Sequence, residues 1–299
     1  MFEMVDLHFQ NEPEIIASYV LRGPKGVALI ETGPGSTVET LFAGLEDLGI
    51  AKEEVTDVLL THIHLDHAGA AGRVARETGA TVHVHRVGAP HMIDPSKLLA
   101  SAGRIYGEMM GPLWGEFLPV PKEQINILDD NDIIDAAGVS VRALDTPGHA
   151  FHHMVYWLDG LCFTGDVGAV RLPGYEHIRL PVPPPELHIP LWKQSVKRLQ
   201  TLKPDRIVPT HFGAYQDVDE HLDEILVKLD ALSDYVKARW LAGESSGQLI
   251  PDLTAWLADQ ARKEGVDEAG VHRYEVIVPS NMNVTGLLRY FRKVEGLSV

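Results

Sequence analysis

The chain predicts an α/β fold, and three observations carry that expectation. Short apolar runs alternate with helical stretches over the first 85 residues, a β-rich block follows from 125 to 168, and long helical patterns take over beyond about Gln216. The 299 residues are 45% hydrophobic, enough for one large core with or without an appendage. The expected boundary lies near residue 220, with 1–220 as the main domain and 221–299 as a helical extension packed on or beside it.

Taken in order, Ser18 to Leu21 and Gly26 to Ile30 read as strands joined through Gly23-Pro24-Lys25-Gly26. Ser36 with Glu39 three residues on is a capping-box signature for a helix ending near Gly49, whose apolar face is Val38, Leu41, Phe42, Leu45 and Leu48. Asp57 to Leu60 is the next strand, a helix starts near Ala68, and Ala80 to His85 is a strand whose His83 and His85 read as surface residues or as support for a site. The stretch from Arg86 to Gln124 is too long for an ordinary connection and suggests a lid, binding loop or helical flap. Its Met92, Met109, Met110, Leu113, Trp114 and Phe117 either line an apolar pocket or pack on the core.

Strands are expected at Ile125 to Leu128, Ile133-Ile134, Val139 to Leu144, Met154 to Leu158 and Leu161 to Thr164, the last two joined by an Asp159-Gly160 hairpin turn. A Pro-rich loop around Pro181 to Pro190 precedes a helix with Trp192, Val196, Leu199 and Leu202 on one face, and Arg206 to Thr210 leads to His211. Helical patterns then cover His221 to Leu241, Asp252 to Lys263 and Leu287 to Arg292, leaving Asn281 and Asn283 in a polar loop without a role.

Lys and Arg total 26 against 42 Asp and Glu, a formal charge of −16, which disfavours nucleic acid because phosphate contacts need local positive potential. No apolar run approaches the roughly 18 residues of a membrane span, and no signal peptide is visible, so a cytoplasmic protein without membrane attachment is the expectation. The single Cys162, in Leu161-Cys162-Phe163, reads as a small apolar strand residue rather than a nucleophile.

The chemistry is concentrated in Thr61-His62-Ile63-His64-Leu65-Asp66-His67, three imidazoles and a carboxylate directly after an apolar strand. Alternate residues of an extended strand end point the same way, so His62 and His64 converge on one ion while Asp66 and His67 face a second position. Imidazole and carboxylate without thiolate suit zinc first, and also iron or manganese. Three further candidate ligands sit at strand ends: His149 after Thr146-Pro147-Gly148, Asp166 after Thr164-Gly165, and His211 after Thr210.

These four motifs, in this order and at about this spacing, resemble the metallo-β-lactamase superfamily over residues 15 to 215. The resemblance implies an αββα four-layer sandwich with the site along one edge of its sheets. It also implies two metal ions: His62, His64 and His149 on the first, Asp66, His67 and His211 on the second, and Asp166 bridging them. Two departures stand out. Glu31-Thr32-Gly33 occupies the place of the family's Asp-Thr-Gly, so a support contact made by the shorter acid would be altered, and His152-His153 is an added pair that either supports the site, touches substrate or forms a turn.

A pair of ions sharing a carboxylate implies hydrolysis by an activated water, with Asp66 orienting that water or carrying its proton. Asp166 points away from the best-known lactamase groups and toward thioester, ester, lactone or phosphodiester substrates. The acidic balance disfavours RNA processing, and Tyr175 could donate to a substrate carbonyl, though a packed tyrosine is the simpler reading. An alternative of another reaction class is a mono-iron persulfide dioxygenase. The expected partner is a small-molecule substrate, and the C-terminal helices are candidates for a homodimer contact.

Overall fold

The computed structural model of the protein describes residues 2–298, which form two compact units: residues 2–145 with 152–165, and residues 146–151 with 166–298.

In the first unit β1 (Glu3–Asp6), β2 (Ala17–Gly23), β3 (Gly26–Ile30), β4 (Val55–Leu59), β5 (Thr81–His85) and β6 (Ile125–Leu128) form one sheet in that order. α1 (Val38–Asp47) carries the chain from β3 to β4, and α2 (Leu65–Ala68) with α3 (Ala71–Thr78) carries it to β5. The helical crossovers make β3 to β6 parallel, while β1 and β2 pair antiparallel. Ile30 pairs with Leu59, so the loops that leave β3 and β4 emerge side by side at the carboxyl end of the sheet, where α/β folds place their ligands. β7 (Ile133–Ala136), β8 (Val139–Asp145), β9 (Met154–Leu158) and β10 (Leu161–Phe163) run as an antiparallel meander in a second sheet. Asp159 and Gly160 both take positive φ in the β9–β10 turn, as a two-residue hairpin requires. Tyr19 of β2 packs against Phe163 of β10, 5.6 Å between ring centroids, and Tyr156 of β9 donates its hydroxyl to the Leu60 carbonyl at 2.8 Å, so the two sheets share one core.

Several local expectations change. Ser36 does not cap α1: the chain makes a tight turn over Gly35–Thr37, and the Ser36 hydroxyl instead donates to the Leu113 carbonyl at 2.7 Å. His83 and His85 are not surface residues, because β5 lies between β4 and β6 and both of its faces are covered. His83 is held by Asp57 of the neighbouring strand at 2.7 Å. The 86–124 segment is helical, with α4 (Ala89–Ile93), α5 (Ser96–Tyr106) and α6 (Met110–Trp114). Met92 and Phe117 enter the core, whereas Met109 is 49% exposed.

The second unit contains a short hairpin of β11 (Val170–Arg171) and β12 (Ile178–Arg179), then α7 (Ile189–Leu202) and β13 (Arg206–Val208). α8 (Val218–Leu241), α9 (Ser246–Lys263), α10 (Glu268–Ile277) and α11 (Ser280–Lys293) follow. Helix α9 begins earlier than expected because Ser245 and Gln248 form a capping box and Pro251 sits inside the helix without ending it. Asn281 and Asn283 lie in α11, not in a loop. Polar clamps fasten these helices to the hairpin: Arg179 to Glu275 and Ser280, Arg171 to Asp217, and His177 to Glu264 at 2.6 Å beside Lys228. Among the described residues no helix is long and apolar enough to cross a membrane.

The buried histidines of this unit make its stability pH-dependent. Burial, and then Lys228, push His177 down to about 4 against the pull of Glu264, and burial pushes His221 down to about 4. Between pH 4 and 6.5 the unfolded chain binds protons that the folded chain does not, so this contribution is complete above 6.5 and is lost as pH falls through the window. Each histidine is worth roughly 3 kcal/mol over that range. Denaturant midpoints of the metal-free protein should therefore fall from pH 6.5 to 4. The fall should be shallower, by up to about one proton, in His177→Gln; equal slopes would contradict the assignment.

Candidate metal centre

The strand-end geometry of β4 explains the first cluster. Beyond Leu59 the chain bends at Thr61 and again at His64 before entering α2, so His62, His64, Asp66 and His67 crowd together within the first unit. His62 Nε2 lies 3.0 Å from His64 Nδ1, and His67 Nε2 lies 3.7 Å from Asp66 Oδ2. His62 and His67 are fully buried, while the Asp66 side chain is 23% exposed.

Glu31 organises this cluster. It is fully buried at a positive φ of 67°, held there by its N–H to the Leu59 carbonyl at 3.0 Å. Its Oε1 accepts from the Thr61 N–H at 3.1 Å and from the Thr61 hydroxyl. With its proton committed to Glu31, the Thr61 hydroxyl can only accept from His62 Nδ1, 3.0 Å away. The His62 tautomer is thereby set, with the Nε2 lone pair facing the cluster. The same Glu31 oxygen is 3.5 Å from His67 Nδ1, beyond a normal hydrogen bond. The Glu31 carboxylate thus lies against Thr61. Thr32 and Gly33 hold the His67 backbone, since their N–H groups and the Thr32 hydroxyl all donate to the His67 carbonyl at 3.0 to 3.1 Å.

The added pair His152 and His153 packs against the cluster. The fully buried His153 ring stacks on His62 with centroids 5.0 Å apart, and His152 stands edge-on to His64 at 5.4 Å while its Nδ1 accepts from the Ile63 N–H at 3.4 Å.

The second unit brings together His149, Asp166 and His211, all at most 3% exposed. Asp166 Oδ2 is 3.4 Å from His149 Nε2, and its other oxygen, Oδ1, is 3.4 Å from His211 Nε2. His149 Nδ1 donates to the Pro181 carbonyl at 2.9 Å, which again leaves the Nε2 lone pair to act as a ligand. Asp166 sits in the tight turn Gly165–Gly168, and two side chains brace it: Trp192 Nε1 donates to the Val167 carbonyl at 2.9 Å and His221 Nε2 to the Gly168 carbonyl at 2.7 Å. Arg171 donates its N–H to the His211 carbonyl at 3.2 Å.

Each cluster offers donors that can hold metal. Two ligands bound at 2.0–2.1 Å to one tetrahedral ion lie about 3.3 Å apart, close to the 3.0 Å of the His62–His64 pair and the 3.4 Å of both contacts of Asp166. A carboxylate whose two oxygens meet different imidazoles at that spacing is suited to bridge two ions. Cys162 is fully buried, which pushes its thiol up to about 12, and plays no part.

Tyr175 donates its hydroxyl to Asp267 at 2.9 Å and so packs rather than pointing at a substrate. Sequence reasoning overlooked Tyr106, at the end of α5 and edge-on to Trp114 at 5.0 Å, which in turn stacks on Phe9. Burial, and then the negative charge of Asp66, hold its phenol above the usual range, so it stays a protonated donor.

Comparison with known proteins gives the family of the chain. The family model of the metallo-beta-lactamase superfamily matches residues 11–211. The metallo-beta-lactamase fold-containing protein ST1585 of Sulfurisphaera tokodaii is 28% identical over 221 residues, 72% of this chain and 80% of that protein. The crystal structure of ST1585 from Sulfolobus tokodaii superposes with a TM-score of 0.67 at 22% identity, covering 96% of this chain and 98% of the other. The metallo-beta-lactamase family protein TTHA1429 of Thermus thermophilus gives a TM-score of 0.70 at 21% identity, with 99% and 95% covered. An atrochrysone carboxyl ACP thioesterase of Aspergillus fumigatus is 31% identical over 152 residues, half of this chain and 38% of that protein.

Proposed function

Because the chain belongs to the metallo-beta-lactamase superfamily, we propose that it is a hydrolase dependent on two divalent ions, zinc in the first instance, acting on a small ester, thioester or lactone. His62, His64 and His149 would hold one ion, Asp66, His67 and His211 the other, with Asp166 shared between them. The observation that carries this reading is the Asp166 carboxylate, whose two oxygens each lie 3.4 Å from a different imidazole. When bound, such a pair of ions makes a water acidic enough to attack near neutral pH and polarises the bond under attack.

The protein's own groups do the rest. Asp66, the partly exposed carboxylate of the set, would orient the attacking water and pass its proton to the leaving oxygen or sulfur as the acyl bond breaks. Glu31 and Thr61 keep His62 in one tautomer. The likeness to an acyl-carrier thioesterase over half of this chain favours thioesters within the class, and the charge of −16 disfavours nucleic acid substrates.

Elemental analysis paired with a panel of thioesters, lactones, phosphodiesters and persulfides tests the reading. We expect two ions per chain and cleavage of a thioester or lactone. One iron per chain with oxygen uptake on persulfide would overturn it.

A further inference from the structure

We infer that Asn283, in the last helix and outside the 11–211 family match, is a positioning residue for His149, so that the C-terminal extension is part of the support of the metal centre. The inference rests on the reading of His149 as a ligand. Asn283 is 1% exposed. Its Oδ1 accepts from the Val182 N–H at 3.0 Å and its Nδ2 donates to the Leu180 carbonyl at 3.1 Å. One carboxamide therefore grips the backbone on both sides of Pro181, whose carbonyl is the acceptor for His149 Nδ1.

This stretch lies beyond β12 and outside any strand, so no sheet ladder fixes the direction of the Pro181 carbonyl. Helix α11 supplies that constraint along one stripe spaced by three residues. Ser280 meets Arg179 Nη2 at 3.0 Å, Asn283 clamps Leu180 and Val182, and Gly286 lies so close that a Cβ there would be 1.8 Å from the Val182 oxygen. The contact at Gly286 excludes any larger side chain and presses the helix onto the loop backbone. A ligand imidazole is aimed by the acceptor on its other nitrogen, and loss of such a support typically weakens metal binding 10–100-fold.

The test is the affinity of each of the two ions, measured by chelator competition with zinc, together with the visible spectrum of the cobalt-substituted protein. Asn283→Ala removes both clamp bonds, and Asn283→Asp keeps the acceptor for Val182 but faces the Leu180 carbonyl with a carboxylate. Val284→Ala trims a fully buried neighbour on the same helix without touching the clamp. We expect one ion to bind 10–100-fold more weakly in Asn283→Asp, and in Asn283→Ala where it folds, with a changed cobalt spectrum. Val284→Ala should lower the melting temperature of the metal-free protein and leave both affinities within about threefold of the parent. Parent-like affinities and spectrum in Asn283→Asp, with only the melting temperature reduced, would overturn the inference. So would equal metal loss in Val284→Ala. A parent protein that binds no ion would instead overturn the function proposed above, and this inference with it.

Discussion

Asp166→Asn should release one of the two ions and lower turnover about a thousandfold or more, while the chain stays folded. The substitution preserves shape, so the turn at Gly165–Gly168 and its braces from Trp192 and His221 survive. It leaves one acceptor oxygen where there were two, and puts an amide with no lone pair to offer toward either His149 or His211. The proposed shared anionic ligand would be lost from a site where Lewis-acid stabilisation is worth several kcal/mol, and about 4 kcal/mol corresponds to a thousandfold in rate. Metal content after dialysis and the rate on the best substrate from the panel are the two readouts. Two ions retained with a near-parental rate would remove Asp166 from the centre.

The largest structural effect is expected from Gly148→Ala. Gly148 has a φ of 142°, and a Cβ there would lie 2.2 Å from both the backbone N and Cα of Trp192 in the first turn of α7. No side-chain rotation relieves a clash with backbone. The loop and helix are also tied by the His188 N–H to the Gly148 carbonyl at 2.8 Å and by the Ser195 hydroxyl to the Pro147 carbonyl at 2.7 Å. Trp192 is fully buried, edge-on to His149 at 5.6 Å, and braces the Asp166 turn, so a displaced α7 disturbs two proposed ligands together. We expect a loss of about 3 kcal/mol or more in the metal-free protein and weaker binding of both ions. Gly103→Ala is the control, since no atom lies within 4 Å of the added carbon in α5. It should be neutral or stabilise by up to about 1 kcal/mol. A Gly148 variant as stable as the Gly103 variant would show that the close approach has no consequence.

Much of the site was legible in the sequence because its donors are local. His62, His64, Asp66 and His67 are written within six residues after an apolar strand, and the structure gathers them in the turn between β4 and α2. The strands on either side were equally readable from their apolar runs, and the Asp159-Gly160 turn from its positive-φ residues. What escaped depends on contacts between distant residues. The grip of Asn283 on Val182 spans 101 positions, and that of Ser36 on Leu113 spans 77, so no local pattern announces either. Ser36 shows the hazard directly: its spacing to Glu39 has the form of a capping box, yet the hydroxyl found a tertiary acceptor. Helix α10 was missed because its apolar residues are interspersed with polar ones and only Gly270 and Tyr274 are buried, and its cap, Asp267, is recognisable only once Gly270 N–H is seen to donate to it. The burial of His83 and His85 was hidden for a related reason: alternation of Val and His suggests one wet face, whereas a central parallel strand has none.

Anomalous diffraction from zinc-loaded crystals tests the central claim most directly. Two peaks should flank the Asp166 carboxylate, one about 2.0–2.2 Å from His62 Nε2, His64 Nδ1 and His149 Nε2, the other beside Asp66, His67 and His211. A single peak, or peaks away from Asp166, would contradict the account.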